Sequence, residues 1–106
     1  MVKFVVVLYR RPDLPEERFR AILRGEHGSM AGRIPGLRKY VQNHVTSDPV
    51  REHPGWDAVV ELYWDDRPSM EGAWASPEGR RATEHLAEFV DLSRSTWSAV
   101  EEEVRR

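Results

Sequence analysis

Lys3-Phe-Val-Val-Val-Leu-Tyr-Arg10 is apolar on both sides of an extended chain. Neighbouring side chains of a strand point to opposite faces, so Phe4 and Val6 share one face while Val5 and Val7 share the other. A strand of this kind has to be covered by protein on two faces. The stretch therefore predicts a strand of a sheet that is packed on both sides.

The rest of the chain alternates helix patterns with strand patterns. Pro15 followed by two glutamates is a favourable helix start, because proline suits the first turn and acidic residues suit its positive end. This helix is predicted to break at Gly28, and a second helical region starts at Pro68 and restarts at Pro77. Strands are predicted over residues 3–10, 38–45, 56–64 and 95–104.

The order βαββαβ predicts an α+β, ferredoxin-like fold, in which both helical regions cover one face of a four-stranded antiparallel sheet. The other face is left bare, although the first strand is apolar there and Val59 and Tyr63 also point to it. We expect a single domain over residues 1–106, which leaves no further segment to cover this face. A homodimer whose second sheet packs there is therefore expected.

The composition excludes several classes of site and partner. The sequence contains no cysteine, which excludes disulfides and thiolate metal sites. The histidines lack metal-ligand spacing and no phosphate-binding glycine loop follows a strand, so neither metal nor cofactor is expected. Arg20 and Arg24 stand among carboxylates, which predicts solvated helix faces and no nucleic-acid partner. No apolar run suits a membrane span or a signal peptide, so we expect a cytoplasmic protein without a membrane partner.

His27 is the most informative candidate site residue. Phe19, Leu23, Met30 and Ile34 share an apolar stripe at helical period, and His27 falls on it four residues after Leu23. An imidazole that points inward takes or gives a proton near neutral pH, which predicts a catalytic or ligand-binding role. The alternative is a structural histidine held by hydrogen bonds inside the protein.

The second predicted strand carries further polar candidates. Tyr40, Gln42 and His44 share one face, whereas Val41 and Asn43 share the other. The pattern leaves open which face looks toward the helices. Tyr40 and His44 are candidates for binding a ligand, and Gln42 and Asn43 are either site residues or part of a solvated strand edge.

The remaining candidates have two interpretations each. Glu61 on the third strand is either a base, with its pKa raised by burial, or the partner of an arginine from a second subunit. Trp64 and Trp74 either wall a cleft for an aromatic ligand or pack in the core. His53 and His85 are expected to be structural or exposed.

Five segments carry a likeness to a known family. They are Glu26-His27, Pro35-Gly-Leu-Arg-Lys-Tyr-Val-Gln-Asn-His44, Ala58-Val-Val-Glu-Leu-Tyr-Trp64, Ser76-Pro-Glu78 and Phe89-Val-Asp91. In this order and spacing they resemble the EthD family of the dimeric α+β barrel superfamily, over almost the whole chain. The resemblance implies a homodimer whose two sheets form a barrel, with a cleft in each subunit between sheet and helices.

The resemblance also carries expectations about function. It implies that His27 is the family's helix-end histidine and Tyr40 its strand-two tyrosine. The family is named for a protein associated with a cytochrome P450 system that degrades ethyl tert-butyl ether, and is broadly classed with oxidoreductases. Superfamily relatives include cofactor-free monooxygenases, polyketide cyclases, lactone isomerases and decarboxylases that act on small, often aromatic, molecules. Function is therefore less closely implied than fold.

This chain departs from the family beside the histidine. Leu23 stands where the family commonly has tryptophan, and Ser29-Met30 stands where it often has Pro-Leu. A leucine at the cleft wall widens the cleft and removes a stacking surface. The substrate of other members therefore does not carry over, and Leu23 and Met30 are counted among the residues expected to contact this chain's own ligand.

The expected function is binding of a small apolar or aromatic, oxygenated molecule in a cleft bordered by His27 and Tyr40, as in a cofactor-free oxidoreductase that degrades such molecules. His27 is the expected acid and base, and Tyr40 or His44 the donor to a developing enolate oxygen. The alternatives are an isomerase, cyclase or decarboxylase, or a non-enzymatic accessory subunit that presents a ligand to a separate oxygenase. A third class is an oligomerisation module whose cleft is filled by side chains.

Overall fold

The computed structural model describes residues 1–51 and 55–106, so His53 lies outside the described residues. Its elements are β1 (Val2–Leu8), α1 (Glu16–Ile22), a π-helical turn (Leu23–His27), α2 (Gly28–Ala31), β2 (Lys39–His44), β3 (Ala58–Trp64), α3 (Arg67–Ala75), α4 (Pro77–His85), a 3-10 turn (Leu86–Glu88) and β4 (Thr96–Val100). Within the described ranges, no helix has the length and apolar character required to cross a membrane.

The four strands form one antiparallel sheet in the order β2-β3-β1-β4. The apolar strand β1 lies inside the sheet, where it pairs with both β3 and β4. Buried and half-buried residues alternate along β3, because the helices cover only one face of the sheet. The predicted α+β, ferredoxin-like fold is confirmed.

A hydrophobic core lies between the sheet and the helices. The rings of Phe19 and Phe89 pack with their centroids 5.5 Å apart. Trp64 is fully buried, and its indole nitrogen donates to the carbonyl of Pro35 at 2.9 Å. Burial of each large apolar side chain contributes about 1.5–3 kcal/mol, so this layer holds the helices on the sheet.

The first helical region does not break at Gly28, and that prediction is wrong. Leu23–His27 form a π-helical turn, and Gly28 continues the helix with right-handed backbone angles. A π-helical turn holds more residues than an α-helical one. The buried positions accordingly fall four residues apart, at Phe19, Leu23, His27 and Ala31. Ala31 takes the inward position that the α-helical period assigns to Met30, which is only half-buried.

The end of β1 also differs from the predicted one. The strand ends at Leu8, because the next two amides leave the ladder and donate to side chains. The amide of Tyr9 donates to Ser95 Oγ at 3.0 Å, and that of Arg10 donates to Asp57 Oδ2 at 2.8 Å. These bonds fasten the turn after β1 to the segments before β3 and β4.

The other strands are shorter than predicted as well. β3 begins at Ala58, because Trp56 is exposed and outside the ladder. β4 ends at Val100, which pairs with Lys3 near the start of β1. Residues 101–106, all charged except Val104, have hardly any strand left to pair with and are exposed.

The sheet face away from the helices is open in the single chain. Val5, Val7 and Val59 are half-buried on it. Lys3 and Glu61 form an ion pair on the same face, with 2.5 Å between Nζ and Oε1. The face therefore combines apolar side chains with a charge pair that is satisfied within the chain.

Candidate functional site

A cavity of about 560 Å³ lies between the sheet and the helices. Its floor is formed by the helix-facing side chains Phe4, Val6, Leu8, Val60 and Leu62. Its walls are formed by Ala31, Ile34, Trp74, Ala82 and Leu86, and its lining extends to Leu92 and Trp97. Few polar side chains interrupt this lining, which is typical of sites that bind small molecules. Two of them, His27 and Tyr40, were singled out in the sequence.

His27 reaches the cavity from the end of the π-helical turn. Its side chain is nearly inaccessible, with 6% of the residue surface exposed. Burial, with a smaller effect from the charge of His85, lowers the pKa of His27 to about 4. The imidazole is therefore neutral at physiological pH and has one nitrogen with a free lone pair.

The partner of His27 is His85, from the last turn of α4. The two Nδ1 atoms are 3.0 Å apart, and the ring planes are nearly parallel, with 5.2 Å between centroids and 10° between planes. Phe89 packs against both rings, with centroid distances of 5.1 Å and 5.5 Å. The pair is thus packed against an apolar ring on one side.

The second polar cluster lies on β2. Gln42 Nε2 donates to the carbonyl of Leu23 at 2.8 Å and to the hydroxyl of Tyr40 at 2.8 Å. Because Leu23 belongs to the π-helical turn, these contacts show that the face with Tyr40, Gln42 and His44 looks toward the helices. The question that the sequence left open is thereby answered.

The hydrogen bonds of this cluster run in one direction. His44 Nε2 lies 3.0 Å from Gln42 Oε1, and an amide oxygen can only accept, so the histidine donates. Gln42 in turn donates to Tyr40, whose hydroxyl hydrogen forms no bond within the described residues. Burial also raises the pKa of Tyr40, so the phenol remains protonated and can donate to a ligand.

His44 itself lies apart from the cavity that holds His27. It lines a second, more polar depression with Arg20 and Arg24. Burial and then the charges of these two arginines lower the pKa of His44. Its connection to the apolar cavity runs through Gln42 and Tyr40.

Two of the predicted cleft residues lie on the other face of the sheet. Asn43 donates to the carbonyl of Val59 and to Glu61, and Glu61 pairs with Lys3. These partners, Lys3 first, lower the pKa of Glu61, opposite to the rise that its central strand position suggested. The expectation that Asn43 and Glu61 line the cleft between sheet and helices is wrong, because their strand positions have the opposite parity to Tyr40 and Gln42.

The apolar candidates divide between core and cavity. Trp64 packs in the core, whereas Trp74 lines the cavity and its buried indole nitrogen has no hydrogen-bond partner among the described residues. Leu23 is fully buried and holds Gln42 through its carbonyl, without lining the cavity. Met30 does not line it either, since the π-helical turn gives Ala31 that place.

His85 is the residue of the site that the sequence pattern did not single out. It lies on the buried side of α4 with Ala82, at a spacing of three residues. A second inward-pointing histidine, on the helix that packs beside the first, was the available signal. Within residues 1–51 and 55–106, no three His, Asp or Glu side chains are grouped as metal ligands would be. The absence of a metal and of a cofactor remains a prediction.

The chain is similar to known proteins in both sequence and fold. Residues 11–93 match the EthD domain. An ethyl tert-butyl ether d (EthD) family protein from Bacillus halodurans C-125 is 23% identical, with a TM-score of 0.82, and the match covers 97% of this chain and 100% of that one. SnoaB, a cofactor-independent oxygenase from Streptomyces nogalater, is 14% identical, with a TM-score of 0.70 and coverage of 97% and 93%.

A dimeric protein of unknown function with a ferredoxin-like fold, from Bacteroides fragilis NCTC 9343, is 21% identical, with a TM-score of 0.66 and coverage of 97% and 95%. No curated protein is significantly similar in sequence. The structural likenesses establish the shared fold, and the match over residues 11–93 spans most of the sequence. The chain therefore belongs to the EthD domain family.

Proposed function

We propose that the cavity binds a small, largely apolar molecule that carries an oxygen atom, and that His27 and Tyr40 act on it by proton transfer. The observation that carries this proposal is the entry of these two side chains into a mainly apolar cavity of about 560 Å³, whose lining also includes Arg80, Thr83 and Glu84. A cavity of that size accommodates a ligand of one to a few rings. Open space of this kind also argues against a pure oligomerisation module.

The two side chains have complementary chemistry. Neutral His27 can remove a proton from a carbon atom next to a carbonyl, or from the hydroxyl group of a phenol. Tyr40 stays protonated and can donate to the oxygen on which negative charge then develops. Because the cavity is apolar, such a hydrogen bond is stronger there than in water.

The fate of the deprotonated ligand determines the reaction class. The enolate either gives electrons to molecular oxygen, which makes the protein an oxidoreductase without a cofactor, or is protonated at another atom, as in an isomerase or cyclase. The likeness to SnoaB, a cofactor-independent oxygenase, favours oxidation. In both cases the first step is the same and is assigned to His27.

The experiment uses 2-tetralone and its hydrocarbon counterpart tetralin. We expect 2-tetralone to quench the fluorescence of the tryptophans that line the cavity, and to bind about tenfold more tightly than tetralin, which corresponds to one hydrogen bond. We also expect the protein to accelerate deuterium exchange at the carbon atoms next to the carbonyl of 2-tetralone. NMR measures the rate of this exchange. Consumption of dissolved oxygen separates oxidation from isomerisation.

Two variants assign the steps. His27→Gln is expected to abolish the exchange while it leaves the affinity for tetralin unchanged. Tyr40→Phe is expected to remove the preference for 2-tetralone over tetralin. If neither probe binds, or if exchange survives in His27→Gln, the proposal is wrong. Binding without exchange or oxygen consumption would instead support the second candidate, an accessory subunit that presents a ligand to a separate oxygenase.

A further inference from the structure

His85 lies behind His27, outside the cavity lining, and meets it through Nδ1. Two imidazoles that approach nitrogen to nitrogen at 3.0 Å share one hydrogen, so one ring donates and the other accepts. The donor therefore determines which nitrogen of each ring is left without a hydrogen. For His27 this decides whether Nε2 is a base or an acid.

Two carboxylates lie near the other nitrogen of His85. Its Nε2 is buried without a hydrogen-bond partner among the described residues, at 3.6 Å from Glu26 Oε1 and 3.7 Å from Glu88 Oε2. Negative charge on both sides favours a hydrogen on this nitrogen. In the neutral ring, Nδ1 of His85 is then the acceptor, so His27 donates from Nδ1 and its Nε2 carries a lone pair.

We propose that His85 is the positioning residue of this site: it holds His27 in the tautomer whose Nε2 is unprotonated, and it receives the Nδ1 proton of His27 when Nε2 takes a proton from the ligand. This inference rests on the proposed function, in which His27 acts as the base. It adds a second histidine and two carboxylates to the machinery.

The protons balance in two transfers. First, the C–H or O–H bond of the ligand breaks and its proton joins Nε2 of His27. Second, the Nδ1–H bond of His27 breaks and that proton joins Nδ1 of His85. His27 ends neutral with its hydrogen on Nε2, and His85 ends as an imidazolium between Glu26 and Glu88. The reverse sequence returns a proton to the product.

The surroundings of the two rings favour a positive charge on His85 over a positive charge on His27. His27 lies in the apolar lining, where its low pKa means that a positive charge is poorly stabilised. His85 faces Glu26 from the π-helical turn and Glu88 from the 3-10 turn, and both carboxylates are well exposed. The relay therefore moves charge from the apolar cavity to carboxylates that are in contact with water.

The first test needs no ligand. Long-range 1H–15N correlation spectra of the unliganded protein at pH 7.5 report which ring nitrogens carry hydrogen. We expect hydrogen on Nδ1 of His27 and Nε2 of His85, and none on the other two nitrogens. Hydrogen on Nε2 of His27 together with Nδ1 of His85 would overturn the proposal, whatever 2-tetralone does.

The second test distinguishes the two roles of His85, which are to fix the tautomer of His27 and to accept its Nδ1 proton. His85→Gln keeps an acceptor for His27 Nδ1 but cannot take a proton, so the tautomer of His27 should persist while deuterium exchange of 2-tetralone falls at least tenfold. Its affinity for 2-tetralone should change less than twofold. Exchange at the wild-type rate in His85→Gln contradicts the relay. His85→Phe should lose the tautomer as well, and if it does not fold, the glutamine variant alone decides.

The carboxylates have a matched control. Changing Glu26→Gln and Glu88→Gln together should weaken the preference for hydrogen on Nε2 of His85, seen in the same 1H–15N spectra, and slow the exchange. Glu17→Gln, an exposed carboxylate on α1, should change neither. If the histidine tautomers are as expected but 2-tetralone neither binds nor exchanges, the proposed function fails while the pairing of the two histidines stands.

Discussion

Gln42 on β2 donates to the carbonyl of Leu23 in the π-helical turn, with 2.8 Å between Nε2 and the oxygen. The same nitrogen also orients the Tyr40 hydroxyl. One side chain thus connects the helix that carries His27 with the strand that carries Tyr40. The hydrogen bonds of Gln42 therefore fix the position of the helix relative to the strand.

We expect Gln42→Ala to lower the free energy of unfolding by about 1–3 kcal/mol, because it leaves the carbonyl of Leu23 without this donor in a partly buried position. Urea denaturation measures the change. Ser29→Ala is the control, since this polar side chain on α2 is exposed to water. Its effect should be below about 0.5 kcal/mol, and equal losses in the two variants would contradict the linkage.

Gly79 sets the distance between α3 and α4. A Cβ atom at this position would collide with the carbonyl oxygen of Ala73 and lie 2.9 Å from Cα of Trp74. We expect Gly79→Ala to destabilise the fold by about 1–3 kcal/mol through overpacking, seen as a lower Tm. Gly72→Ala, where a Cβ meets nothing within 4 Å, should instead gain about 0.5–1 kcal/mol from helix propensity.

Stability should depend on pH through His27. Its pKa in the folded protein, about 4, lies below the ordinary value of 6.5, so the unfolded chain binds more protons between these values. Stability is therefore greatest above pH 6.5 and falls as the pH decreases. From pH 7.5 to 5.0 we expect His27 to account for a loss of about 2 kcal/mol.

Urea denaturation of wild type and His27→Gln at both pH values tests this contribution. The variant should lose less stability than wild type over the same interval. Glu61 and Asp65 also have lowered pKa values, but carboxylates titrate at lower pH and affect both proteins equally. Parallel pH profiles for the two proteins would show that His27 is not buried in its neutral form.

The open face of the sheet predicts a homodimer, the assembly also named for the protein from Bacteroides fragilis. We expect sedimentation at micromolar concentration to give twice the mass of the chain. Val59→Lys should abolish the dimer and yield aggregated or unfolded protein, because in the predicted dimer that face forms half of a shared core. Ala21→Lys, on the exposed side of α1, should leave the dimer intact, and a stable wild-type monomer contradicts the prediction.

The periodicity of the sequence was sufficient for the fold but not for the site. The apolar pattern of β1 and the order of elements predicted the sheet and the helices. Every second residue of a strand points to the same face, so the hydrophobicity of alternate residues shows whether one or both faces are buried. The pairing of His27 with His85 was not predictable in the same way, since it depends on how α4 packs beside the π-helical turn. Met30 was misplaced for a related reason: nothing in the pattern marks the extra residue in that turn.

Because of the π-helical turn, the orientation of His27 depends on how many residues the turn contains as well as on which residues they are. Gly25 lies in this turn with nothing within 4 Å of where a Cβ would be, so substitution there meets no obstacle. Deletion of the same residue would restore an ordinary helical repeat and rotate everything after it by about 100°. His27 would then lose both the cavity and His85. The segment is therefore tolerant of replacement and intolerant of a change in length.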